Sequence, residues 1–241
     1  MRILVVSDLH YSLKQFDWLC LRAGDYDLLA IAGDLLDLGG HADLGTQSVV
    51  VEKYLARLAE SAPLVVCSGN HDLDDETDEG ERFAAWLKYL ELNRVSVDLQ
   101  SMMIGDCLVS MCAWWEGPVS REEIAQFLEA ESAKRTGRWI WLYHAPPDGA
   151  KISWTGKDYK GDTFLPELIA KHNPDIVFCG HIHNSPFRKE GSWHDRIGST
   201  WVFNAGRQMS STPSTIMIDV GTMQATWDSD MDVETIELTA N

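Results

Sequence analysis

Apolar residues along the chain gather in short runs separated by stretches of helical spacing. Five runs, Ile3 to Val6, Leu28 to Ala32, Leu64 to Cys67, Trp139 to Tyr143 and Ile176 to Cys179, are apolar throughout instead of alternating. A strand covered on both faces has that composition, so the runs predict buried strands of an α/β sheet. Between them, Leu13 to Ala23 and Thr46 to Glu60 carry helical periodicity. Ser120-Arg121-Glu122-Glu123 has the spacing of a capping box opening a helix toward Lys134, and Leu165 to His172 predicts a shorter helix stopped by Asn173-Pro174. Beyond Thr200 the pattern turns strand-like, through Trp201-Val202-Phe203, Thr215 to Ile218 and Gln224 to Trp227. A second, more antiparallel sheet is expected there. The longest irregular stretch, His144 to Asp162, is long enough for a loop in a compact domain to suggest a functional role.

Each of the five runs is followed at its carboxyl end by a polar cluster. The clusters are Asp8-Leu9-His10, Gly33-Asp34, Gly69-Asn70-His71-Asp72, Tyr143-His144-Ala145-Pro146 and Gly180-His181-Ile182-His183. Ligands of open α/β sheets bind outside the carboxyl ends of the strands, so these clusters should converge in space. A single histidine at such a place is ordinarily a loop residue or a hydrogen-bonded core residue; here five of the chain's 8 histidines fall in the clusters. Carboxylate, amide and imidazole donors without thiolate suit a borderline first-row divalent ion and exclude a Cys-rich structural zinc site. Two ions about 3.5 to 4 Å apart and sharing a carboxylate can clamp the attacking and leaving oxygens of a phosphoryl centre.

The ordered set Asp-x-His, Gly-Asp, Gly-Asn-His-Asp, His and Gly-His-x-His resembles the calcineurin-like metallophosphoesterase superfamily, from Asp8 to His183. The resemblance implies an α/β fold, a four-layer sandwich of two mixed β-sheets flanked by α-helices, with the site at one edge. It also implies that Asp8, His10 and His183 hold one metal ion, that Asn70, His144 and His181 hold another, and that Asp34 bridges them. A metal-bridging hydroxide would then attack phosphorus, His71 would protonate the leaving oxygen, and Asp72 is a candidate to orient His71. The implied activity is metal-dependent hydrolysis of a small phosphate ester, leaning to phosphodiester or nucleotide-type substrates. A phosphomonoesterase on the same site is the alternative, and a catalytically silent scaffold of this fold a weaker one. Manganese, iron, zinc and nickel all suit the donors. Leu38 stands where the Ser/Thr protein phosphatase branch has the Arg of its Asp-Arg-Gly motif, which argues against a protein phosphatase. The capping and helical additions of the superfamily's DNA-repair nucleases are missing too.

Composition narrows the class further. With 241 residues of which 45% are hydrophobic, one domain spanning residues 1–241 is expected. A formal charge of −17 gives no electrostatic footprint for nucleic acid, so a small substrate is favoured and stable nucleic-acid binding is not expected. The opening apolar run is too short for a signal peptide or a membrane helix, and no later stretch reaches spanning length; a cytoplasmic protein with no membrane association is expected. The 5 cysteines, scattered and without a Cys-x-x-Cys pair, are read as reduced core thiols. The acidic run Asp72 to Glu79 is read as a solvated loop and helix start, since it lacks the order of a calcium-binding EF-hand loop.

Several other residues keep two readings. His41 suits an exposed loop better than a phosphate contact. His172 fits the dipole at a helix end. Arg188, Lys189 and His194 belong to a turn that could edge the site. Trp139 and Trp141 should pack into the core or against a covering helix. Trp114, Trp115 and Trp154, with Tyr159, could stack on a ring of the substrate or simply pack. Arg207, after Asn204-Ala205-Gly206, is a candidate for substrate phosphate.

Overall fold

A computed structural model of the chain describes residues 1–239. The strands are β1 (Arg2–Val6), β2 (Leu28–Ala32), β3 (Leu64–Cys67), β4 (Asp75–Glu76), β5 (Arg82–Phe83), β6 (Val95–Ser96), β7 (Ser101–Ile104), β8 (Cys107–Met111), β9 (Trp139–Leu142), β10 (Ile176–Cys179), β11 (His194–Ile197), β12 (Thr200–Asn204), β13 (Thr215–Asp219), β14 (Gln224–Asp228) and β15 (Val233–Glu237). The α-helices are α1 (Leu13–Arg22), α2 (Leu44–Ser61), α3 (Ala85–Lys88), α4 (Pro118–Ser132) and α5 (Phe164–His172). One sheet has the order β15-β14-β13-β1-β2-β3-β6 and a second the order β11-β12-β10-β9-β8-β7, while β4 and β5 pair by themselves.

The period of two along a strand explains why the runs are apolar throughout. Ile3 and Val5 of β1 face the inter-sheet core with Val109, Ile140, Ile176 and Phe178 of the second sheet. Leu4 and Val6, pointing the other way, pack with Phe16 and Leu19 of α1 and Val51, Leu55 and Leu58 of α2. On the far side, Trp139 and Trp141 share the outer face of the second sheet, under Ile124 and Leu128 of α4 and Leu168 of α5. Their rings meet edge to face at 5.1 Å, and both side chains are fully buried. Truncating either to alanine would cost about 3–5 kcal/mol. The result is the expected order of layers, helix, sheet, sheet, helix.

Parallel pairing aims the motif-bearing ends one way. In the first sheet β1, β2 and β3 are parallel, and in the second β8, β9, β10 and β12 are parallel. Their carboxyl ends release the segments carrying Asp8, Asp34, Asn70, His144 and His181 onto one edge of the sandwich.

Three expectations need correction. Residues after Thr200 do not form a separate antiparallel sheet: β12 pairs in parallel with β10, whereas β13 pairs antiparallel with β1 and carries β14 and β15 outward from it. Strand patterning identifies a strand but not its partner, and β1 had an open edge. The helix assigned to Ser120 begins at Pro118, so Ser120 lies inside its first turn, where its hydroxyl accepts from the Glu116 and Gly117 amides at 3.1 and 3.3 Å. The Glu81 carboxylate, remote in sequence, accepts the Val119 and Ser120 amides, both at 2.8 Å, and caps the helix instead. The acidic run leads into the β4–β5 hairpin and not into a helix. Among the described residues no helix is long and apolar enough to cross a membrane. All five cysteines are free thiols.

Candidate metal centre

Backbone hydrogen bonds stitch the first two loops together. The amides of Asp8, His10 and Tyr11 donate to the carbonyls of Gly33, Asp34 and Leu35 at 3.0, 3.0 and 2.8 Å. Asp8, His10, Asp34 and His181 all have left-handed backbones, with φ of 55, 42, 54 and 67°. Each such residue costs on the order of 1 kcal/mol or more, and strain of this kind collects where side chains must be aimed. Close approach adds to the constraint. A Cβ at Gly33, whose φ is 86°, would lie 2.3 Å from His144 Nδ1, and one at Gly69 would lie 2.3 Å from Asp34 Oδ1. The motif glycines therefore leave room for the side chains that converge here.

Two groups of donors result. In the first, His10 Nε2 and His183 Nε2 are 3.0 Å apart, His183 Nε2 is 3.3 Å from Asp8 Oδ1, and His10 Nε2 is 3.6 Å from Asp34 Oδ2. In the second, His144 Nε2 is 3.2 Å from Asp34 Oδ2, and His181 Nδ1 is 2.8 Å from Asn70 Oδ1. Donors about 2.1 Å from a first-row ion stand roughly 3.0 Å apart at right angles and roughly 3.4 Å apart at tetrahedral angles, so this spacing fits a metal between them. His144 gives an independent sign. Its Nδ1 lies 2.7 Å from the Ala32 carbonyl, while its buried Nε2 has no hydrogen-bond partner. An Nδ1–H bond to a carbonyl is the support that aims the other nitrogen's lone pair at a metal.

Electrostatics agree with a cation site. Burial holds the His10 and His181 imidazoles down at about 4, so both are neutral and can donate a lone pair at pH 7. For His144 burial works against charge, but the Asp34 and Asp8 carboxylates overcome it and push the ring up to about 10. The same pair of carboxylates would attract a divalent ion. Burial also acts on Asp8 and Asp34, yet the neighbouring histidines hold both carboxyls below their ordinary value.

Asp72 does not meet His71. Its Oδ1 accepts the Leu35 and Leu36 amides, both at 2.9 Å, and its Oδ2 accepts the Gly69 amide at 2.8 Å. The carboxylate is thereby occupied in clamping the Asp34 loop to the Asn70 loop. Burial, with the Asp34 charge, pushes its pKa up to about 8, while those same amides favour the charged form. His71 sits edge-on against His10 at 4.4 Å, and the Leu38 amide donates to its Nδ1 at 3.3 Å.

Three residues in or behind the centre were not singled out from the sequence. Asp37 groups with His10 and His71, and its signal is an acidic residue three places after Asp34. Asn204 donates from Nδ2 to the carbonyls of Ile152 and Ile182 at 3.2 and 3.0 Å and so holds the loop bearing His181 and His183. Asp98 accepts the Ser68 amide at 2.8 Å just ahead of Asn70. Only the fold brings the last two near the site. Arg207 donates its amide to the His183 carbonyl at 3.0 Å, and its charge helps depress His10. His41 is exposed. His172 packs edge-on against Trp139 and Trp141 at 5.8 and 6.1 Å, so the core, and not only the helix end, uses it. His194 lies in β11 against Trp193 and Trp201, and Trp154 packs on Tyr159 at 4.9 Å. Trp114 leans on His181 at 5.4 Å.

Aspartates, an asparagine and histidines thus gather at the strand ends of a two-sheet sandwich. The chain belongs to the calcineurin-like phosphoesterase family, whose model matches residues 1–185. It is 25% identical over 186 residues to purple acid phosphatase 21 of Arabidopsis thaliana, a match covering 71% of this chain and 42% of that protein. The chain thus spans less than half the length of this curated relative. Among solved structures, TT1561 of Thermus thermophilus superposes with a TM-score of 0.62 at 17% identity over 99% of both chains. The purple acid phosphatase PPD1 of yellow lupin (Lupinus luteus) superposes with a TM-score of 0.58 at 15% identity, over 99% of this chain and 51% of its own. These two share the fold.

Proposed function

We propose that this chain is a dinuclear metal-dependent phosphoesterase acting on a small phosphate ester, with phosphodiester or nucleotide-type substrates preferred. One observation carries the proposal: Asp34 Oδ2 stands 3.6 Å from His10 Nε2 on one side and 3.2 Å from His144 Nε2 on the other, so a single oxygen serves both donor groups. Asp8, His10 and His183 would hold one ion, Asn70, His144 and His181 the other, and Asp34 both. When bound, two such ions supply Lewis-acid charge to the phosphoryl oxygens and make a nucleophile available from water near neutral pH.

The chain's own residues do the rest. The Leu38 amide at His71 Nδ1 favours the tautomer with its proton on Nε2, the form in which that nitrogen donates toward a leaving oxygen. Asp72 acts through the backbone, keeping the Asp34 and Asn70 loops in register. Arg207 would hold a non-reacting phosphate oxygen, a role supported by the charge it brings near His10. One folding unit over residues 1–241 is part of the same proposal, supported by an inter-sheet core that includes both Ile3 and Leu238.

Similarity to a protein named as an acid phosphatase favours monoesters as the second reading. The test is metal analysis of the loaded chain, followed by turnover of matched phosphate mono- and diesters with manganese, iron, zinc and nickel. Near two ions per chain and faster diester turnover are expected. Faster monoester turnover would select the second reading, and two ions without turnover of either class would reduce the chain to a scaffold.

A further inference from the structure

Beside the metal centre a cavity of about 390 Å³ opens onto His181. Its walls include Trp114 and Trp115, and Lys160 stands at its rim. Trp115 is fixed in place: its Nε1–H donates to Tyr143 Oη and Asp162 Oδ2, both at 2.8 Å, and the Arg121 guanidinium lies 4.9 Å over its ring. Asp162 is held in turn by Tyr143 Oη and by the Phe164 amide at 2.6 Å. Trp114 is anchored by its amide, which donates to Ser68 Oγ at 2.9 Å, and its indole leans on the His181 and His144 rings at 5.4 and 5.8 Å. Two tryptophans from consecutive positions therefore wall a space adjoining His181, one of the side chains assigned to metal. Phe164 meets the Trp115 ring edge to face at 6.2 Å, and Trp154 and Tyr159 pack on each other at 4.9 Å.

Whatever is esterified to a phosphate at the centre must extend away from the ions, and a wall of indole beside His181 rewards a flat, polarisable group. Stacking on an indole is specific for shape and tolerant of sequence or substituent, because every planar ring offers a π face. A cation at the rim suits the carbonyl or ring-nitrogen edge of such a group. Aliphatic alcohols would gain contact area but no stacking.

We propose that this cavity is the leaving-group subsite and that it takes a planar ring, making the substrate a phosphate ester of a nucleoside or of an aryl-bearing alcohol. This rests on the phosphoesterase reading above. Trp114 and Trp115 are its specificity-determining residues, and Lys160 orients the ring from its polar edge.

The test uses the full chain loaded with manganese and two matched pairs of substrates. Benzyl and cyclohexylmethyl phosphate differ in flatness while their alcohols have similar size and acidity. Adenosine 5′-phosphate and ribose 5-phosphate differ only by the base. Each is assayed as the monoester and as its methyl diester. The ring-bearing member should be favoured in kcat/KM by about tenfold or more, in the adenosine pair alone for a nucleoside site and in both pairs for a general ring site. That ratio should collapse in Trp114→Leu and return in Trp114→Phe. Equal kcat/KM within both pairs, or a Trp114→Leu loss shared equally by both members, would overturn the proposal. Saturation-transfer NMR with adenosine and benzyl alcohol reads the cavity without turnover. Ring protons saturated by the wild-type chain, with and without metal, but not by folded Trp114→Leu support the subsite, and no saturation in the wild type overturns it. Absence of all ester turnover would instead sink the phosphoesterase reading, leaving the NMR arm to decide what the cavity binds.

Discussion

Replacing Asp34 by asparagine tests the centre at its shared atom. Asp34 Oδ1 accepts the His71 amide at 2.8 Å, so the carbonyl oxygen of the introduced side chain is kept there by the backbone. Its NH2 then falls at the Oδ2 position, 3.6 Å from His10 Nε2 and 3.2 Å from His144 Nε2, where an amide nitrogen has no lone pair to offer a cation. Both ions lose a ligand through one isosteric change. At a hundredfold excess over Kd each ion stabilises the native state by about 2.7 kcal/mol, and two by about 5.4 kcal/mol. For a chain of this length that is a rise in Tm of roughly 10–20 °C. Asp34→Asn is expected to show less than half that rise, to bind at most one ion per chain, and to lose nearly all turnover. Differential scanning calorimetry with and without manganese, paired with metal analysis after gel filtration, reads the first two. Two tightly held ions and the full wild-type rise in Tm would refute the bridging role. A wild-type chain whose Tm and metal content ignore both chelator and manganese would refute the centre itself.

Three further outcomes are expected. His71→Gln should keep both ions yet lose roughly 10²- to 10⁴-fold in single-turnover rate on an alkyl or nucleoside ester and much less on a p-nitrophenyl ester, whose leaving group departs without a proton; equal losses on the two would point to phosphate binding instead. Burial pushes the Asp98 carboxyl from 3.8 up to about 6, so the folded state keeps a proton that the unfolded chain releases, and stability falls as pH rises from about 4 to 6 and stays low above that. Asp98→Asn, which keeps an oxygen for the Ser68 amide, should therefore stabilise on the order of 2 kcal/mol at pH 7.5 and little at pH 4, as thermal melts at the two values would show; equal effects at both would contradict the buried charge. With a formal charge of −17, no gel shift of duplex DNA is expected at submicromolar protein and physiological salt, and a shift there would revive a nuclease role.

Strand-forming runs and their polar ends were legible from the sequence because both are local. An all-apolar run such as Leu28 to Ala32 has few alternatives to a doubly covered strand, and Gly33-Asp34 directly beyond it must leave at its carboxyl end. The residues named in that way, Asp8, His10, Asp34, Asn70, His71, His144, His181 and His183, are the ones the fold draws to one edge. Their spacing could not say which imidazole nitrogen faces inward, nor that Asp72 would spend its carboxylate on three backbone amides.

Pairing and support were decided only in three dimensions. Nothing in Thr215 to Ile218 specifies β1 as a partner, since strand patterning is blind to the neighbour and the choice depends on which edge stands open. Glu81 capping a helix that starts at Pro118, Asn204 holding the His181 loop, and Trp114 against His181 all join positions far apart in the chain. Each contact exists because two sheets stacked face to face bring their carboxyl edges together, a geometry set by the summed burial of both sheets and by no single segment.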